Sequence, residues 1–316
     1  RWAKACHNLS MKLLRTLAAS ALLLFTHAAF AWGPDGHMWI NYLAGQNIPA
    51  TVPAFLRSPG ALDSLAYYGL EPDRWRSAAE PELNAAQAPE HYILLDLVDQ
   101  ALAAPLPHRR YDYIRALAAA QSKHPDLNLT PEHVGLQPYV TTEVYERLQS
   151  AFRDYRAALK THEDLKPIEA EVLFYAGWLG HYVGDGAQPM HTSIHINGWV
   201  GPNPHGYITQ KQFHWAFEND FVSAALKSAD IAPLVAASKP QALTGDVFEV
   251  YIAYLRDTNT RVENLYQLQK AGDLTGRGTP AGRTFTAQRL ADGAIELRNL
   301  IYTAWLRSAQ PSARQY

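Results

Sequence analysis

Cysteine is almost missing from this chain: one residue, Cys6, in 316. It precedes a stretch that reads as a secretory leader, so the processed protein is expected to have none. That absence excludes a disulfide framework, thiolate metal ligands and a cysteine nucleophile. An exported protein without disulfides has to be held by its core or by bound metal. Strand-type alternation is scarce as well, which points away from a sheet-based fold. No internal repeat and no long low-complexity linker divides the chain. No Ser-His-Asp arrangement stands out, and the apolar run near the start is too short to span a bilayer.

That run belongs to the leader. Met11 is followed by Lys12 and Arg15, the apolar stretch Leu17 to Phe25, then Ala29-Phe30-Ala31. This is a charged head, a short hydrophobic segment and a small-residue cleavage site. Residues 1–31 are therefore expected to be upstream sequence plus leader, with cleavage after Ala31; the competing reading is an uncleaved amphipathic anchor. The expected location is periplasmic or secreted, with no membrane span left in the processed protein. Residues 32–316 read as one helical domain starting at Trp32. Removing 1–31 takes away Arg1, Lys4, Lys12 and Arg15 and no acid, leaving 24 basic residues (28 less four) against 30 acidic ones. A chain with that balance is not a general nucleic-acid coat. Nothing in the sequence indicates a stable protein partner.

What is present is helical period. Val140, Val144, Leu148, Phe152 and Tyr155 form one stripe over 138–159. Ile168, Val172, Leu173, Tyr175, Ala176, Leu179 and Val183 make 167–184 apolar over so wide a surface that this helix should be central. Similar patterns predict helices over 244–262 and 282–307, and shorter ones over 35–43, 107–120 and 210–226. The Pro-, Gly-, Asn- and Asp-rich stretches 47–53, 58–60, 80–90, 124–138, 195–207 and 271–281 read as loops. The fold class expected is all-α.

The polar residues of the central helix carry the chemistry. His181 and Asp185 stand four apart on one helical face, and His191 follows Pro189, which should end the helix. A lone histidine on an apolar helix is usually a satisfied core residue. A buried aspartate one turn later changes that reading, because burying an unpaired carboxylate is costly. No Lys or Arg lies between Glu171 and His205 to pair with it. A metal ion is the natural partner. His214 and Glu218 repeat the four-residue step among aromatics; alone they would read as a solvated pair, and beside the first trio they read as further ligands. His and carboxylate ligands suit zinc, more often in catalytic than in structural sites. His91 begins an apolar run after Pro89-Glu90. Asp73 sits at the end of an amphipathic stretch, where an aspartate is usually a turn or capping residue. Cleavage before Trp32 would bring a free amine within six residues of His37.

Taken together, Trp32 after a cleavage site, His37 and the H-x-x-G-D-x-x-Q-P-x-H run from His181 to His191 resemble the superfamily of zinc-dependent phospholipases C and fungal-type single-strand-specific nucleases. The likeness covers Trp32 to about Val222 in motifs. It implies an all-helical fold with a zinc cluster at the base of a cleft, and three zinc ions held by a mature N-terminal Trp, five His and three carboxylates. One zinc would be held by Asp73, His91, His181 and Asp185. A second would use the Trp32 amine and carbonyl, His37 and a shared oxygen of Asp185. The third would use His191, His214 and Glu218.

The resemblance implies phosphodiester hydrolysis, with Asp73 both ligand and orienting base and Asp185 shared between two ions. Phospholipid and single-stranded nucleic acid are the two candidate substrates. Glu218, where the nucleases usually have Asp, and Leu94, where they have an Asp, lean toward phospholipid. Tyr92, Tyr67, Tyr68, Trp199 and Asn219 are candidate substrate contacts; aromatics in this number also serve as core. The loop 195–207 is a candidate lid by composition. A reading of another class is a non-catalytic, zinc-stabilised binding protein, which predicts closed coordination without water.

Overall fold

The computed structural model describes residues 32–310. The expected leader and its cleavage site lie outside the described residues. In chain order the helices are α1 (Gly33–Gln46), α2 (Pro59–Tyr68), the single turn α3 (Glu71–Arg74), α4 (Pro81–Gln87), α5 (Leu95–Ala101), α6 (Arg110–Gln121) and α7 (Pro131–Val134). They continue with α8 (Gln137–Thr161), α9 (Lys166–Ala187), α10 (Gln212–Trp215), α11 (Val222–Ala225), α12 (Ser228–Ala237), α13 (Val247–Asn259), α14 (Val262–Lys270) and α15 (Pro280–Arg307). A π-helical turn, Ala216–Phe221, joins α10 to α11. Among the described residues there is no strand, only an isolated antiparallel bridge between Ile93 and Gly135. The fold is all-α. No helix of the described residues is long and apolar enough to cross a membrane.

Helix α9 is the axis of the packing, touching α1, α2, α8, α13 and α15. Every residue from Leu179 to Ala187 is buried, so the wide apolar surface read in the sequence does sit at the centre. Glycines let the neighbouring helices come close. A β-carbon added at Gly180 would overlap the Asn41 side chain of α1, and one at Gly184 would lie 3.1 Å from His37 Nδ1. One continuous hydrophobic cluster runs from Trp32 to Ala304 around this axis.

Proline explains most differences from the sequence reading. Residues 58–60 and 80–90 were expected as loops, yet Pro59 opens α2 and Pro81 opens α4. A proline in the first helical turn loses no hydrogen bond and arrives with its φ preset. The same residue that punctuates a loop therefore starts a helix, and Ser58 completes that start by accepting the Ala61 N–H at 3.3 Å. The expected helix 244–262 is α13 alone, with a separate α14 after it. The stretch 210–226 is not one uniform helix but α10, the π turn and α11 in succession. Helix α12 contains Pro233, a residue that reads as a helix breaker in the sequence.

Candidate metal centre

The buried end of α9 supplies His181 and Asp185 one turn apart, and its stop at Ala187 lets the 3-10 turn Pro189–Thr192 fold back with His191. Around it, α1 contributes His37, α3 Asp73, the 3-10 turn Ala88–His91 its last residue, α10 His214 and the π turn Glu218. All eight side chains are 0–6 % exposed. They form three groups whose ligand-type atoms lie within 4.8 Å of one another: His37, His181 and Asp185; Asp73, His91 and His181; and His191, His214 and Glu218. The last group comprises the same three residues expected for the third zinc.

Asp185 stands between imidazoles. Its Oδ1 is 3.4 Å from His37 Nε2, and its Oδ2 is 3.5 Å from His181 Nε2 and 4.0 Å from His191 Nδ1. Asp73 Oδ1 is 3.7 Å from His91 Nε2 and 3.9 Å from His181 Nε2. The rings of His37 and His181 stack, with centroids 4.0 Å apart.

The tautomers follow from what lies behind the rings. Nδ1 of His91 faces Gln87 O at 2.8 Å, that of His181 faces Gly69 O at 2.8 Å, that of His191 faces His91 O at 2.6 Å and that of His214 faces Ile196 O at 2.6 Å. A carbonyl can only accept, so each Nδ1 carries the proton and donates it. In a neutral ring this leaves the Nε2 lone pair pointing into the cluster, the arrangement metal-binding histidines use. Around His181 the consequence is a meeting of acceptors. His91 Nε2, His181 Nε2, Asp73 Oδ1 and both Asp185 oxygens are buried without a hydrogen bond. Leaving one buried charge uncompensated costs about 3–5 kcal/mol, so a cation is what this atom set requires. The residues present fit zinc: nitrogen and carboxylate oxygen donors, no thiolate.

The electrostatics divide the cluster in two. Burial pushes Asp73 up to about 8, although the nearby His37 and Arg76 work against it. Burial also holds Asp185 well above the usual carboxylate range, and His91 and His181 well below the usual imidazole value. The third group behaves otherwise. Burial opposes charge there too, but His214 Nε2 lies 2.7 Å from Glu218 Oε2. That contact raises the imidazole, and with help from His191 it pulls Glu218 down to about 2. In the metal-free chain this pair is an internal ion pair.

Several further contacts only the structure reveals. Gln188, fully buried at the C-cap of α9, donates from its amide to Glu218 Oε1 and accepts the Met190 N–H at 2.6 Å. Arg76 brings its guanidinium to 3.7 Å from Asp73 Oδ1. Asn41 donates to His37 O at 3.0 Å. Segments 91–93 and 191 are tied twice, since His191 Nδ1–H donates to His91 O and the Ile93 N–H donates to His191 O at 2.9 Å. Gln188 is the Gln of the run from His181 to His191, and Arg76 lies three residues after Asp73; neither position shows its contact in the sequence.

Trp32 is engaged through its indole, which donates to Gly184 O at 2.6 Å and so caps the end of α9, while its carbonyl accepts the Gly36 N–H at 3.2 Å. The expected amine ligation depends on cleavage after Ala31 and is not visible here. Of the candidate substrate contacts, Tyr92 donates its hydroxyl to Glu132 O. Tyr67 lies under the Arg74 guanidinium, and Tyr68 packs edge-on against Phe174. Asn219 abuts Gly33. Trp199 stacks on His195 at 3.8 Å beside Tyr207 and Tyr266. The loop expected as a lid is thereby fastened down. Tyr266 Oη donates to His195 O at 2.5 Å and Ile196 O anchors His214, so the first turn of the loop supports the third group.

No family model matches the chain, and no curated protein matches it. Among solved structures, a crystal structure of Clostridium perfringens alpha-toxin isolated from avian strain SWCP is similar to it at a TM-score of 0.40 and 12 % identity, over 90 % of this chain and 66 % of the toxin chain.

Proposed function

We propose that this chain is an exported phosphodiesterase that loads three zinc ions and hydrolyses phospholipid. The observation that carries the reading is the set of inward-facing nitrogen and oxygen atoms around His181, locked in orientation from behind and without a hydrogen-bond partner in the protein. The leader-like segment supports export, and Glu218 with Leu94 supports phospholipid over nucleic acid.

Bound zinc would supply a water of lowered pKa and a positive field for charge developing on phosphoryl oxygens. The chain's own residues do the rest. Asp73 is the most exposed of the ligand set, at 6 %. As a ligand it would be ionised, and one oxygen can orient a water while the other remains a ligand. Arg76 adds a permanent cation at the same edge, with the fork geometry that suits a phosphate oxygen. His181 belongs to two groups at once, which fixes those groups relative to each other.

The test is metal analysis of the processed protein together with turnover of phosphatidylcholine emulsion, single-stranded DNA and RNA, each with and without chelator. Near three zinc per chain and chelator-sensitive release of the phosphorylated headgroup are expected. One zinc or none would sink the trinuclear arrangement. Turnover confined to nucleic acid would replace the substrate, and full zinc without turnover of any of the three would favour the zinc-stabilised binding protein.

A further inference from the structure

His91, His181, His191 and His214 are each held from behind by a carbonyl, but Asp185 has no such support. Both of its carboxylate oxygens are buried without a hydrogen bond, so the backbone of α9 alone sets where they point. That backbone is held by a helix outside the ligand segments. On α13, Tyr251 and Tyr254 stand three residues apart on one face. Their hydroxyls donate to successive carbonyls of α9, Tyr182 O at 3.0 Å and Val183 O at 3.1 Å. With the Trp32 indole on Gly184 O, every carbonyl from Tyr182 to Gly184 accepts from a side chain, and Asp185 follows directly. At the end of α13, Asn259 donates its amide to Thr192 O at 2.8 Å, next to His191. The three α13 donors therefore bracket the segment that carries His181, Asp185 and His191.

These contacts are more than the packing of an apolar stripe. A carbonyl inside an α-helix already accepts from the N–H four residues on, so each tyrosine adds a second, shared donor. Such an approach needs bare backbone. A β-carbon on Gly186 would lie 2.6 Å from Tyr251 Oη and 3.0 Å from the Tyr254 ring. Glycine beside Asp185 is what lets the phenols reach α9. Burial holds both phenols well above their usual range, so they remain protonated and keep donating. Phenylalanine would fill the same space, and the hydroxyls are the part of these side chains that packing does not require.

We infer that α13 is a splint for the metal-bearing segment, with Tyr251 and Tyr254 positioning Asp185 and Asn259 positioning His191. The inference rests on the metal reading above. Its distinguishing consequence is selectivity: each donor governs the ions nearest the carbonyl it holds.

The experiment is a chelator titration of the processed protein, with bound zinc counted at each step and melting of the chelated form recorded alongside. Tyr251→Phe and Tyr254→Phe keep the rings and remove only the donors. Each should weaken the two ions that share Asp185 by about fivefold, the factor that one lost hydrogen bond makes. The third ion should keep its wild-type affinity. Asn259→Ala should do the reverse and loosen the third ion alone. Cobalt in place of zinc should show an altered visible spectrum in the tyrosine variants, a change in ligand geometry that lost stability alone would not produce. Tyr251 is fully buried; if its variant does not fold, the half-buried Tyr254→Phe carries the test. A purely structural role would lower melting of the chelated protein and loosen all three ions together, and that result overturns the inference. Wild type with three ions and variants of unchanged affinity overturns it as well, and leaves the metal reading intact. Wild type that binds no zinc removes the metal reading and this inference with it.

Discussion

Around His181, buried nitrogen and carboxylate oxygen atoms face one another 3.4–3.9 Å apart with no hydrogen bond between them; around His214, the imidazole Nε2 lies 2.7 Å from Glu218 Oε2. Both regions offer zinc-type donors at similar burial, yet their metal-free states differ. The first is left with carboxylates that burial drives toward protonation. The second compensates itself as an ion pair. An ion entering the first region relieves an electrostatic fault, whereas one entering the second has to displace a proton already well placed. The first region is thus expected to be the fold's staple and the second its more exchangeable site.

The largest test of that difference is Asp185→Asn. It should cut activity by about 10²–10³-fold or more and reduce bound zinc to one ion. Its effect on stability should change sign with loading. The loaded protein should melt lower than wild type, because two ions lose a ligand. The chelated protein should melt no lower, because an uncharged amide replaces a carboxyl that burial already drives toward its neutral form. Glu218→Gln should lose only the third ion. It should also destabilise the chelated protein by about 3–5 kcal/mol, since it strands a buried His214 charge. Zinc counts and paired melting curves check both variants. Chelated proteins that shift in the same direction would break the comparison.

A smaller effect should appear in pH dependence. Asp73 is raised when folded, so its contribution to the metal-free fold is fully present below its unfolded value of about 3.9. It is lost as pH rises through about 8. The chelated protein should therefore melt progressively lower from about pH 5 to pH 8, and Asp73→Asn should flatten that slope. Glu218 has the opposite sign. Its contribution is present above about 4.3 and lost as pH falls through about 2. Zinc uptake near neutral pH should release a proton in the first region, measurable by calorimetry in buffers of different ionisation enthalpy. Uptake without proton release would contradict the state assigned to Asp73.

The sequence makes the two regions unequally readable. His181 and Asp185 are visible because a wide apolar helix makes any polar residue on it conspicuous, and Pro189 marks where that helix must stop. His214 and Glu218 share the four-residue step. The π turn that carries Glu218 leaves no local signature, because it depends on what the segment packs against. Asp73 and His91 come from a single helical turn and a 3-10 turn, too short for any periodicity, and only the family resemblance singled them out. Helices α4 and α12 were hidden by prolines that serve as breakers elsewhere. Gln188 stood in plain view just before Pro189, but its partner Glu218 is thirty residues away and no spacing rule connects them.

Gln188 also offers the finest test of how separate the two regions are. It caps the helix that carries Asp185, and its amide holds the carboxylate of the other region. Gln188→Ala removes that link and no ligand atom. If the regions bind metal independently, the third ion alone should loosen, by about 10–100-fold, the usual cost of losing a hydrogen bond that orients a ligand. The other two should stay bound through a chelator titration that strips the third. All three ions leaving together would mean that the end of α9 is set by the whole cluster, and that the self-compensated pair at His214 is part of one cooperative unit with the acceptors around His181.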